Sequence, residues 1–152
     1  MLDGMVINAV ETPASLIYEV RARVDAGGRA VAHLGTEAVA FDASWAAKTP
    51  SGLPGPAELL ACAFAACLLK NVERSAQLMP FRCQAADVDV TAHRQDRPPR
   101  FIRLEYRLHL VTDEPERRVR LLHENLRRFG TVYNTLAVAC EIDGTVTTTP
   151  PV

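Results

Sequence analysis

Residues 59–69, LLACAFAACLL, carry no polar side chain, and no other stretch limits so strongly what this chain can fold into. Pro56 stands just ahead of them, where the first turn of a helix does not need its missing N–H, and good helix formers follow to about Gln77. The predicted helix is therefore apolar on every face for its first three turns. Lys70, Glu73, Arg74 and Gln77 then give the remainder a wet side. The apolar run is far short of the roughly 20 residues that cross a bilayer, so it reads as a helix enclosed by protein. A single sheet covers one side of a helix. A second copy of the chain is the simplest cover for the other, which predicts an obligate homodimer with a core-like interface.

Strands are predicted on both sides of this helix. Leu16, Tyr18, Val20, Ala22 and Val24 alternate with Ile17, Glu19, Arg21 and Arg23, and turn residues at 25–28 close that segment. Residues 29–34 and 37–41 follow as two short strands separated at Gly35, giving an antiparallel meander. Residues 49–56 are rich in Pro, Gly and Ser and read as a loop. Beyond the helix, Val88, Val90 and Ala92 form one alternating set, and Ile102, Leu104, Tyr106, Leu108 and Leu110 another, with a polar hairpin loop at 95–100. Asp113 and Glu116 have the spacing of a capping box, and Val119, Leu122, Leu126 and Phe129 recur at helical spacing up to a stop at Gly130. Residues 131–136 read as a further helical turn and 138–148 as a last strand. The expected fold class is α+β, in one domain spanning residues 1–152.

A chain of 152 residues can bury a core without metal or disulfide staples. The four cysteines, Cys62, Cys67, Cys83 and Cys140, show no Cys-x-x-Cys spacing, and His33, His93, His109 and His123 show no ligand spacing, so no metal site or other cofactor is expected. A formal net charge of -1 offers no field for nucleic acid or anionic lipid. The first residues lack the basic flank of a secretory or transit segment, so a cytoplasmic location is expected.

The segment from Gly55 to Cys67, GPAELLACAFAAC, resembles the central-helix motif of the OsmC/Ohr family, the osmotically inducible protein C and organic hydroperoxide resistance proteins. In that motif a Pro, one or two acids and a Leu precede a run of small residues and the reactive cysteine, which falls on Cys67. The order of strands and helices extends the similarity over most of the chain. The resemblance implies an intertwined α+β homodimer with antiparallel sheets around a buried central helix and active sites at the subunit interface. It also implies a peroxidase in which the cysteine attacks an organic hydroperoxide and a second cysteine, from a Cys-Pro-Val-Ser-like segment, captures the sulfenic acid. Residues 130–136, GTVYNTL, resemble that segment in Val132 and Leu136, but Gly130 occupies the cysteine position. The acid that follows the Pro in that branch is replaced by Ala57, with Glu58 one residue later.

A free thiol is only a few per cent thiolate at neutral pH, so a reactive Cys67 needs a cation or dipole nearby. Cys67 lies far from the start of its own helix. The resemblance makes Arg21, or next Arg23, the candidate cation, with Glu58 as the candidate carboxylate. Tyr133 is a candidate to close the pocket. The implied activity is reduction of organic hydroperoxides, in oxidative stress defence, with an external thiol as reductant. The competing reading is a non-catalytic dimer that binds an apolar small molecule.

Overall fold

The computed structural model describes residues 16–45 and 49–152; the first residues, read above as lacking the basic flank of a secretory or transit segment, lie outside them. The chain forms two compact units, Met1–Gly55 and Pro56–Val152.

In the first unit, β1 (Arg21–Val24), β2 (Ala30–Leu34) and β3 (Glu37–Phe41) form the expected antiparallel meander in the order β1-β2-β3. Arg21 pairs with His33 and Leu34 with Glu37. The first turn forms because the Asp25 carboxylate accepts from the backbone N–H groups of Gly27 and Arg29, at 2.9 and 3.0 Å. Gly28 there takes a φ of 80°, a conformation that costs glycine nothing. β1 is shorter than its alternating pattern, beginning at Arg21 rather than Leu16.

The second unit opens with α1 (Pro56–Leu78), which buries Phe64, Leu68, Asn71, Val72 and Ser75, a stripe at helical spacing. β4 (Ala85–Asp96) and β5 (Pro99–Val111) form a long antiparallel hairpin. Its loop is tighter than expected: both strands continue through most of residues 95–100, and Arg97-Pro98, joined by a cis peptide bond, make the turn. After α2 (Glu116–Phe129) and α3 (Thr131–Ala139), β6 (Glu141–Thr149) returns to pair with β5 in parallel, giving the order β4-β5-β6. Leu104, Tyr106, Leu108 and Leu110 of β5 are buried with Phe64, Leu68 and Val72 of α1 and Val119, Leu122 and Leu126 of α2, forming one core.

Two local expectations need correction. The last strand begins at Glu141, because residues 131–139 are helical throughout, and Val138 is an exposed residue of α3. The capping box at Asp113 does not form: Pro115 caps α2 without a side-chain bond, while the polar residues before it tie α2 to the end of α1. Glu114 accepts from the Arg82 backbone N–H and pairs with Arg118, whose guanidinium donates to the carbonyls of Met79 and Pro80. Those carbonyls lie past the end of α1, where a helix leaves acceptors unsatisfied.

Gly144 has a steric role. It is the register partner of Tyr106, and a Cβ on it would stand 1.9 Å from Tyr106 Cζ. The tyrosine ring therefore occupies the space that any other residue at 144 would fill.

Candidate functional site

Cys67 lies one turn after Phe64 on the buried stripe of α1 and is itself partly buried. Its sulfur stands 3.1 Å from the point where a Cβ on Gly130 would sit, with Tyr133 Cβ 2.9 Å and the Leu126 carbonyl oxygen 3.2 Å from that same point. The fold therefore brings together the two segments singled out in the sequence, although they lie far apart along the chain. Gly130 is buried at the junction of α2 and α3, and any side chain there would press on both the thiol and the neighbouring tyrosine.

Around this junction the side chains form an aromatic cluster. Phe64 lies 5.9 Å from the Tyr106 ring and 5.7 Å from the Tyr133 ring, centroid to centroid. Tyr133, expected as a pocket-closing residue, is buried in this cluster, and its hydroxyl nearby pushes the Arg127 guanidinium above its usual range. The Tyr106 hydroxyl and His123 Nε2 are hydrogen-bonded at 2.6 Å. Burial pushes the Tyr106 phenol well above the usual tyrosine range. Burial, aided by the nearby Arg127 charge, also pushes His123 below the usual histidine range. Both members of this pair are thus kept neutral.

The four cysteines differ in what their sulfur atoms touch. Cys83 donates to the Ala85 carbonyl at 3.0 Å and Cys140 to the Leu136 carbonyl at 3.4 Å, and burial raises the pKa of both thiols. Cys67 instead accepts: Asn71 Nδ2 lies 3.6 Å from its sulfur and 2.8 Å from its carbonyl oxygen. Cys62 is exposed. A carbonyl partner favours the thiol and an N–H partner favours the thiolate, and at Cys67 the side-chain partner of the sulfur is the Asn71 amide, a donor.

Arg21 begins β1 in the first unit, and Glu58 lies in the first turn of α1 in the second. Nine helical positions separate Glu58 from Cys67, which amounts to about 13 Å along the axis and half a turn around it. Within one chain they face opposite sides of the helix. Asn71 is the site residue that sequence reasoning missed, although its signal was present: a polar residue four positions after a cysteine shares that cysteine's face.

The comparisons agree with this architecture. A family profile described as OsmC-like protein matches residues 49–144. The chain is similar in structure to an OsmC-like protein from Mycoplasma pneumoniae, with a TM-score of 0.78 at 18% identity over 87% of this chain and 96% of that one. It is also similar to an organic hydroperoxide resistance protein from Bacillus subtilis, OhrB, with a TM-score of 0.62 at 17% identity over 88% and 100% of the two chains. A third similar structure is an organic hydroperoxide resistance protein OsmC from Legionella pneumophila, with a TM-score of 0.65 at 14% identity over 86% and 98%. No curated protein matches the sequence. With its profile match covering most of the sequence and the strand and helix order shared with these structures, the chain belongs to the OsmC-like protein family.

Proposed function

We propose that this protein is a cysteine-based peroxidase that reduces organic hydroperoxides at Cys67, using an external thiol as reductant, in cytoplasmic defence against oxidative stress. The observation that carries the reading is the placement of the Cys67 sulfur against Gly130, at the junction of α2 and α3, with an N–H donor facing it. In the proposed reaction the thiolate attacks the distal peroxide oxygen, an S–O bond forms as the O–O bond breaks, and the alkoxide takes up a proton and leaves as an alcohol. Sulfur is oxidised by two electrons to the sulfenic acid. One external thiol then displaces water to give a mixed disulfide, and a second releases Cys67 with formation of the external disulfide. Gly130 supplies no internal sulfur for that step, which is why an external thiol is required.

Arg21 is the proposed cation for the thiolate and Glu58 the proposed carboxylate orienting it. Since Glu58 faces away from Cys67 on α1, it serves a thiol across the proposed homodimer interface. The exposed apolar residues Tyr18 and Val20 ahead of β1, and Val24 at its end, support a partner subunit, because apolar surface left in water carries a cost.

Reduced protein mixed with a slight excess of cumene hydroperoxide is expected to gain one oxygen at Cys67 within seconds, read by intact mass and peptide mapping. Cys67→Ser is expected to abolish thiol-dependent turnover. No oxidation over minutes would sink the peroxidase reading. The filled and thiol-free position at Gly130 favours the second reading, a dimer that binds an apolar small molecule, and tight binding unaffected by Cys67→Ser would support it.

A further inference from the structure

Asn71 is a polar residue on the buried stripe of α1, between Leu68 and Val72. A buried amide is costly unless its hydrogen bonds are made, and an apolar residue would pack this stripe without that cost. Its 2.8 Å bond to the Cys67 carbonyl explains little by itself, because in a helix that carbonyl already accepts the backbone N–H of residue 71. The bond does fix the orientation of the amide. One Nδ2 hydrogen is anchored on the carbonyl, and the sulfur lies 3.6 Å from the same nitrogen, where the second hydrogen can reach it. Sulfur's larger radius places its hydrogen bonds beyond the lengths usual for oxygen.

Helix dipoles do not take over this role. Gly130, beside the sulfur, ends α2 and begins α3, so a negative and a positive helix end meet there and their fields on the sulfur largely oppose each other. Among the described residues of this unit, the Asn71 amide is the side-chain donor hydrogen-bonded to the Cys67 sulfur.

We infer that Asn71 is a catalytic residue of the Cys67 site, an anchored amide whose free N–H stabilises the thiolate. The inference rests on the proposed reactivity of Cys67, and the two can fail separately.

The test is the rate of iodoacetamide alkylation of Cys67 against pH in the full-length protein, with Cys67 read by peptide mapping, for the native sequence, Asn71→Leu and Asn71→Asp. Loss of one hydrogen bond to a charged group predicts alkylation about tenfold slower at pH 7 in Asn71→Leu. The profile should move to higher pH and reach an unchanged plateau, because access to the sulfur is unaltered. Asn71→Asp, which places a carboxylate where the donor was, should move it at least as far. Circular dichroism establishes that each variant is folded, and if Asn71→Leu is not, Asn71→Asp decides alone. Profiles that keep their position on the pH axis and change only in plateau would make Asn71 a packing residue and overturn the inference. A native Cys67 no faster than glutathione at pH 7 would instead defeat the peroxidase reading, whatever the variants do.

Discussion

The surroundings of the sulfur atoms differ among the four cysteines, and this yields a selective outcome. Brief iodoacetamide treatment at pH 7.5 is expected to modify Cys62 and Cys67 and to spare Cys83 and Cys140, whose thiols are partly buried and donate to carbonyls; peptide mass mapping would check this. Gly130 is the other residue with a sharp consequence. A methyl group there would lie 2.9 Å from Tyr133 Cβ and 3.1 Å from the Cys67 sulfur, so Gly130→Ala is expected to cost about 1–3 kcal/mol in urea unfolding. Cys67 was singled out by its motif, and its role is part of the proposed function. Asn71 was equally local, four residues on, but its meaning depended on knowing that this face of α1 is buried and that the amide turns back on the cysteine.

Among the elements, period-two alternation located β4 and β5, Pro56 followed by helix formers located α1, and helical spacing located α2. The prediction slipped at α3, where Thr131, Val132 and Val138 suit strands as well as helices. There the helix is continued by local bonds, from the Asn134 N–H to the Gly130 carbonyl and from the Thr135 hydroxyl to the Thr131 carbonyl. On α2, Leu122 is wholly buried, and Leu122→Ala is expected to destabilise the protein by about 2–5 kcal/mol in the same assay. His123, one position on, makes this helix sensitive to acid. Burial holds it neutral in the folded protein, whereas the unfolded chain takes up a proton near pH 6.5. The unfolded state then binds more protons, so this contribution to stability is complete above about pH 6.5 and declines as pH falls toward the lower folded value. Urea midpoints at pH 8 and pH 5.5 should therefore differ less in His123→Phe than in the native sequence.

For the whole molecule, the sequence implied the α+β class and the strand order, while the parallel return of β6 was not readable. Two helices between β5 and β6 permit either direction, and only the packing of α2 and α3 on the core selects one. The apolar surface of the first unit carries the proposal of assembly: Tyr18 is 82% exposed, Val20 62% and Val24 59%. Light scattering coupled to size exclusion is expected to give twice the 16.6 kDa chain mass at micromolar concentration, and a monomer would contradict the proposed dimer. The ladder between β5 and β6 also has a temporal consequence. His109 and Thr147 meet across 38 residues of chain, and the rest of that parallel ladder closes over the same span. During synthesis the β4 and β5 hairpin can zip as soon as it emerges, but its central strand keeps one bare edge until both helices and β6 have been translated. The nascent chain thus passes through an interval in which β5 can be captured by a stray strand, making the speed of translation through residues 112–149 a determinant of yield.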